Sequence, residues 1–186
     1  TITRAWYFSR IVDNVTTHHA LLWTPNQKAF YVIDFLNIEE MLGRNIRKIG
    51  ETLDAARELL PVLDGNRLLM LHRYTGLSII DVDMETISSF VSNQRLNASY
   101  LDEERNRFWV APSGQERVAY VDIESGETND LLLDADVKSI VPIFKSGKLG
   151  ILHNSSLGLV SFVDVENPDR EHAFSVRGFL IEGVLD

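Results

Sequence analysis

Two histidines occupy equivalent places in the chain and belong to a residue type that can carry out acid–base or metal chemistry. His72 and His153 each follow a short apolar segment. An imidazole titrates near neutral pH and is a common metal ligand. Asp13 and Asp102 each end a weaker apolar segment and are carboxylates that could act with the histidines. These four residues are our candidates for a ligand-binding face.

The surrounding pattern nevertheless favours a structural role. No third ligand recurs with the two histidines, and the chain has no His-Glu-x-x-His motif and no nucleophile elbow. Asp81, Asp83 and Glu85 alternate in a way that could suit Ca²⁺, but no glycine follows them to turn a tight loop. We therefore predict no catalytic residue, no metal site and no cofactor. We expect the histidines to end strands at turns.

One short pattern recurs four times and organises the rest of the chain. An apolar segment ends in an aspartate and an apolar residue at 31–35, 78–82, 119–123 and 161–165. Successive copies are 47, 41 and 42 residues apart. A fixed period of about 40–45 residues is typical of four-stranded propeller blades. We predict that the repeated carboxylates accept backbone N–H bonds in the turn that follows each segment; they are Asp34, Asp81, Asp122 and Asp164.

The middle segments of each repeat are nearly continuous apolar runs, for example 67–71 and 107–111. A strand has this composition when both faces of its sheet are covered, as they are between neighbouring blades. We predict an all-β protein, a β-propeller of four-stranded antiparallel blades in one domain or domain portion over residues 1–186. The repeats are expected at about 11–50, 57–92, 98–134 and 138–177, with partial blade strands at 1–10 and 178–186. Short helical turns are expected at 37–43 and 51–58.

The repeated apolar-Val/Ile-Asp-apolar core and the Asp64-Gly65-Asn66-Arg67 hairpin resemble YVTN-type β-propeller repeats. More broadly the chain resembles quinoprotein-like and lactonase-like propellers. Such families usually form rings of about seven blades. Four repeats fall short of that number, and we favour the interpretation that they are part of a larger ring, because residues 1–10 and 178–186 resemble strands of further blades. A closed four-bladed ring and an open array completed by a second copy are the alternatives.

Composition excludes several classes of partner. The formal net charge of −9 is unsuited to nucleic acid, whose phosphates need a basic surface, and to anionic membranes. No apolar run approaches the roughly 20 residues that span a bilayer, so we predict no membrane insertion. The chain has no cysteine, which removes thiolate chemistry and disulfides.

The predicted function is therefore a non-catalytic propeller scaffold that binds a protein or carbohydrate ligand through one face. The alternative is a lactonase-like or quinoprotein-like enzyme with a metal or cofactor at the central channel. Contact with further blades or a second copy is expected. An extracytoplasmic bacterial setting, periplasmic or at the cell surface, is implied by the resemblance alone.

Overall fold

Apolar strands alternate with tight turns along the chain. The structure, a computed structural model, describes residues 4–35, 45–91, 94–143, 146–169 and 173–177. Within these ranges, sixteen β-strands pair into four antiparallel sheets of four strands each. The chain divides into two compact units, Thr1–Asn93 and Gln94–Asp186, and each unit holds two sheets. The expected all-β class and blade architecture are confirmed.

The first unit contains two sheets, each made of four strands consecutive in sequence. The first sheet is β1 (Arg4–Val12), β2 (Val15–Trp23), β3 (Ala29–Phe35) and β4 (Asn45–Glu51). The second is β5 (Ala56–Val62), β6 (Arg67–His72), β7 (Leu77–Asp81) and β8 (Thr86–Phe90). A single 3₁₀ turn, Leu63–Gly65, connects β5 to β6.

The second unit repeats the arrangement. Its first sheet is β9 (Leu96–Asp102), β10 (Arg107–Pro112), β11 (Arg117–Asp122) and β12 (Thr128–Leu132). The other sheet is β13 (Val137–Ile143), β14 (Lys148–His153), β15 (Leu159–Asp164) and β16 (Ala173–Arg177). The sheets pack together where β13 contacts β9 and β10.

Burial explains the apolar runs of the middle strands. Every residue of β6 and β10 after the first is buried, because these strands are covered on both faces. In the first unit the core includes Phe30, Leu68 and Met70. In the second unit it includes Trp109 and Leu149. The outermost strands β8, β12 and β16 are mostly exposed, as their polar composition predicts.

Two local expectations are corrected by the backbone pairing. We expected residues 1–10 to be a strand of a preceding blade, but β1 pairs with β2 along its whole length. Asp13 and Asn14, with φ of 50° and 62°, form the two-residue hairpin turn between them, a turn that requires positive φ at both positions. The helical turn expected at 51–58 is also wrong, because residues 56–62 form β5 and pair with β6.

Two other expectations fall on parts of the chain that the structure does not describe. These are the helical turn at 37–43 and the strand at 178–186. Among the described residues, no helix is long and apolar enough to cross a membrane.

Candidate functional site

The first candidate, His72, is held inside the second blade by a chain of side-chain hydrogen bonds. Its Nε2 lies 2.9 Å from Ser78 Oγ, which lies 2.8 Å from Ser89 Oγ. These residues stand on the neighbouring strands β6, β7 and β8, so the chain crosses the sheet. His72 is only 3% exposed. Its imidazole therefore contributes to the hydrogen bonding of the blade.

Burial also sets the charge state of His72. Burial lowers the pKa of this imidazole below its ordinary value, although the Thr75 backbone and the charge of Asp54 favour the protonated form. His72 is thus kept neutral near pH 7. A neutral imidazole can accept a hydrogen bond at one nitrogen, which suits a hydroxyl partner such as Ser78.

His153 repeats this arrangement in the second unit. Its Nε2 lies 2.7 Å from Ser161 Oγ, which lies 2.7 Å from Ser175 Oγ. The Ser175 hydroxyl donates to Asp134 at 3.0 Å, and His153 Nδ1 lies 2.8 Å from the Ala135 carbonyl oxygen. His153 is 5% exposed, and both of its ring nitrogens are engaged. The hydrogen bonds that begin at His153 therefore connect strands β14, β15 and β16.

Three of the four repeated aspartates receive backbone N–H groups in the turn that follows their strand. Asp81 Oδ1 accepts from the main chain of Asp83 and Met84, at 3.1 and 2.8 Å. Asp122 accepts from residues 124 and 125, and Asp164 accepts from residues 166 and 167, in the same pattern. Such bonds hold a tight turn in place.

Asp34 is surrounded differently. Its carboxylate receives a hydrogen bond from the Arg47 guanidinium and lies 2.7 Å from His19 Nδ1. Burial opposes its ionisation, but these two partners outweigh that effect and hold the pKa of Asp34 below its usual range. The turn that would follow Asp34 lies outside the described residues. Within the described part, Asp34 is a partner in a charged cluster.

The two remaining candidates are both at strand ends but differ in burial. Asp13 is exposed in the β1–β2 turn. Asp102 is only 5% exposed at the end of β9, and its Oδ2 lies 3.4 Å from Arg105 Nη1. A buried carboxylate is stabilised by such a cationic neighbour.

Asp102 lines a pocket of about 630 Å³ between the two blades of the second unit. The pocket lies where the turn after β9 faces the turn before β14. Tyr100, Ile143 and Leu149 are among its less polar lining residues, and Lys148 also lines it. Its charged lining residues combine acids and bases; they are Asp102, Glu103, Glu104, Arg105 and Lys148.

Several polar groups of the pocket are already oriented by neighbours. Arg105 Nε donates to Glu166 at 2.8 Å, and Lys148 Nζ lies 3.4 Å from Asp164 Oδ2. Burial raises the pKa of the Tyr100 hydroxyl, and the charges of Asp102 and other nearby acids act in the same direction. Tyr100 is therefore a neutral hydrogen-bond donor and acceptor at physiological pH.

The structure does not bring the candidate residues together. Lys148, which lines the pocket beside Asp102, begins β14, whereas His153 ends that strand about 16 Å away at the usual rise per residue. In the first unit, His72 ends β6. The turn that contains Val82 lies at the opposite end of that strand, where β6 begins. Among the described residues, no group of three or more His, Asp or Glu side chains is arranged to hold a metal ion.

Sequence reasoning found Asp102 but missed Tyr100, Arg105 and Lys148. Tyr100 alternates with Asp102 along β9, and Arg105 lies in the turn that this strand enters. The short spacing of Tyr100, Asp102 and Arg105 along the chain could have linked these three residues. Lys148 could not have been linked to them from spacing, because it comes from the neighbouring blade.

Comparison with known proteins identifies the fold. No protein-family model and no curated protein matches the chain. Solved structures do match it, among them a dihydro-heme d1 dehydrogenase, NirN, in complex with DHE, at 11% identity and a TM-score of 0.51. Hydrazine synthase from Kuenenia stuttgartiensis matches at 11% identity and a TM-score of 0.52. The four sheets are blades of a β-propeller fold.

The matches cover most of this chain and a smaller part of the others. Both cover 86% of this chain, but 35% of NirN and 46% of the hydrazine synthase. An auxiliary nutrient binding protein from Bacteroides thetaiotaomicron also matches, at 14% identity and a TM-score of 0.46, over 84% of this chain and 38% of that one. The chain thus spans less than half the length of each of these proteins. At such identities the likeness concerns the fold.

Proposed function

We propose that the chain is a non-catalytic β-propeller module, with repeats of the YVTN type, that binds a carbohydrate or protein ligand through one face. The observation that carries this proposal is the pocket of about 630 Å³ in the second unit. Ligand sites typically have about 300–1,000 Å³ and combine apolar walls with a few placed polar groups. This pocket has both properties.

The shape and lining of the pocket favour carbohydrate over protein. A protein partner is usually recognised over a broad surface, whereas a concave pocket encloses a small ligand. Sugar hydroxyls both donate and accept hydrogen bonds. Tyr100, Asp102 and Arg105 together offer a hydroxyl, a carboxylate and a guanidinium for such groups. The Tyr100 ring also offers a flat apolar surface to a sugar ring.

The same geometry supports binding over catalysis. His72 and His153 are engaged inside their blades, and they stand at the opposite ends of β6 and β14 from the hairpin turns that begin these strands. The enzyme alternative, with a metal or cofactor at a central channel, needs converging acidic and histidine side chains. The candidate residues of the described part do not converge.

Binding can be tested with a panel of neutral and acidic oligosaccharides, followed by calorimetric titration of each sugar that binds. We expect Tyr100→Ala to weaken binding by about 10-fold or more, since stacking and a hydrogen bond are lost together. Tyr74→Ala is the matched control, because Tyr74 is 65% exposed and lies in the first unit.

Two outcomes would contradict the proposal. Sugar binding that is equally strong in Tyr100→Ala and the wild type would exclude this pocket as the site. A tightly held divalent ion present in one copy per chain after purification would instead favour the enzyme alternative.

The setting of the module is part of the proposal. We propose contact with further blades or with a second copy, supported by the greater length of the matched propeller proteins. We also propose an extracytoplasmic setting, periplasmic or cell-surface, supported by the resemblance to YVTN-type propellers. Light scattering on the purified chain measures the copy number directly.

A further inference from the structure

Three arginines line a small pocket in the first unit, at the strand ends where its two sheets meet. The pocket has a volume of about 190 Å³. Arg4 begins β1, Arg57 is the second residue of β5, and Arg73 directly follows β6. All three side chains belong to exposed residues. Trp23 and Pro25 form part of the wall.

Backbone bonds fix the points from which these side chains leave the chain. Arg4 is paired with Trp23 across β1 and β2. The Arg73 N–H donates to the Ala55 carbonyl at 2.9 Å, which ties the end of β6 to the start of β5. Arg57 occupies an irregularity in the pairing of β5 with β6, between Ala56 and Glu58. The three arginines thus lie at or next to strand ends where the two sheets of the first unit meet.

The charges of this pocket are not balanced within the described part of the chain. Arg4 and Arg57 have no ion pair or side-chain hydrogen bond with any described residue. Among the described residues, Arg73 has one side-chain contact, at 3.4 Å, with Asn26 Oδ1. Glu58 is the one acid among the described residues that line the pocket. Three cations against one anion is unusual in a chain with a formal net charge of −9.

A nearby carboxylate is already engaged elsewhere. Asp54 accepts the main-chain N–H groups of Ala55 and Tyr74, each at 2.7 Å. Arginines elsewhere in the described part of the chain contrast with the three in this pocket: Arg47 binds Glu85, and Arg105 binds Glu166. Like charges repel, so three arginines that line one pocket without an ion pair to any described residue do not stabilise the fold through their charges.

We propose that this pocket binds a small anionic ligand through a carboxylate or phosphate group. A guanidinium offers a planar fork of donors that matches both groups, and converging guanidiniums neutralise their charge. A volume of about 190 Å³ is enough for an inorganic phosphate or a single acidic sugar. This site lies in the first unit and is separate from the larger pocket of the second, so each proposal can fail without the other.

The test uses the whole chain and three probes: inorganic phosphate, glucuronate and uncharged glucose. Calorimetric titration measures each affinity, and tryptophan fluorescence reports on the pocket because Trp23 lines it. We expect phosphate, glucuronate or both to bind while glucose does not. The double variant Arg57→Gln/Arg73→Gln should lower the affinity by about 10-fold or more, because two charge-assisted contacts are lost. Added salt should also weaken binding.

Arg177→Gln is the matched control, since Arg177 is an exposed arginine on the outer strand β16 of the second unit. The melting temperature of each variant checks that the fold is kept. Binding of phosphate alone would identify a phosphate ligand, and binding of glucuronate alone a carboxylate ligand. The proposal is overturned if neither anion binds the wild type, or if the double variant binds as tightly as Arg177→Gln does.

Discussion

Glu85, in the turn between β7 and β8, lies 2.8 Å from the Nη1 atom of Arg10 on β1, and so joins the second blade to the first. Arg47 on β4 donates to the same carboxylate, with its Nε 2.7 Å from Oε2. Arg10 also donates to the carbonyl of Val82. The two blades of the first unit are therefore connected by charged groups as well as by apolar contacts.

The second unit uses a related contact. Arg107 at the start of β10 donates to the carbonyl of Val165, which follows Asp164 as Val82 follows Asp81. Arg105 binds Glu166 in the same turn. In both units an arginine of one blade thus binds the backbone of a repeated turn in the next blade. An arginine suits this place because its several donors can satisfy a carbonyl and a carboxylate together.

The first prediction concerns acid stability. Arg47 and, to a smaller extent, Arg10 lower the pKa of Glu85 to about 2 from an ordinary value of 4.5, although burial raises this pKa. A carboxyl with a lowered folded-state pKa stabilises the fold above its unfolded pKa, and this contribution is lost as the pH falls from about 4.5 towards 2. Glu85→Gln should lower the free energy of unfolding at pH 7 by about 1–2 kcal/mol. This range allows for the partial exposure of Arg47, because solvent screens the ion pair.

Urea unfolding of the wild type and Glu85→Gln at pH 7 and pH 3 measures this effect. The difference between the two proteins should shrink at pH 3. Glu127→Gln serves as the control, because Glu127 is exposed in the turn after β11. An unchanged difference at both pH values would contradict the role of the Glu85 charge.

The second prediction concerns His72. Because burial lowers its folded-state pKa, the unfolded chain takes up a proton at a higher pH than the folded chain does. Its contribution to stability is therefore complete above the ordinary histidine pKa of 6.5 and falls as the pH drops below that value. Thermal unfolding between pH 8 and pH 5 should show a smaller loss of stability for His72→Gln than for the wild type.

The third prediction concerns the aspartate turns. Asp122 Oδ1 accepts the main-chain N–H of Glu124 and both the N–H and the hydroxyl of Ser125, at 2.8–3.1 Å. Asp122→Ala should lower the free energy of unfolding by roughly 1 kcal/mol through the loss of these bonds. Asp122→Asn keeps an acceptor oxygen and should cost less. Equal stability of Asp122→Ala and the wild type would exclude a structural role for this carboxylate.

The fourth prediction separates backbone strain from crowding at two glycines. Gly76 and Gly114 have positive φ values of 67° and 71°, which side chains rarely adopt. A Cβ at Gly76 would lie 2.5 Å from the Val91 carbonyl oxygen, whereas a Cβ at Gly114 meets nothing within 4 Å. Gly114→Ala should cost about 1 kcal/mol from φ alone. Gly76→Ala should cost about 1–3 kcal/mol more because of the clash, as measured by urea unfolding.

The sequence by itself determined the blade architecture, because its physical cause is local and repeated. Strands covered on both faces must be apolar throughout, and β6 and β10 could be read from that composition. The turns after Asp81, Asp122 and Asp164 were also accessible, since each carboxylate contacts residues only two and three positions ahead. The fold class follows from such short-range patterns.

The assignment of β1 shows where local patterns fail. The sequence pattern assigned residues 1–10 to a preceding blade, and only the pairing of β1 with β2 shows that Arg4–Val12 belongs to the first blade. At 51–58 the residues have adequate helix propensity. Strand pairing with β6 outweighs that propensity, since tertiary contacts override weak local preferences.

Only the tertiary structure decided the charged contacts and the pockets. Arg10 and Glu85 are 75 positions apart, and Asp102 and Lys148 share a pocket although they come from different blades. Arg4, Arg57 and Arg73 line one pocket for the same reason. The positions of strand ends relative to a neighbouring blade depend on how whole sheets pack, and no spacing along the chain encodes that packing directly. The sequence therefore specified the blades, and the packing of those blades specified the two pockets that we propose as ligand sites.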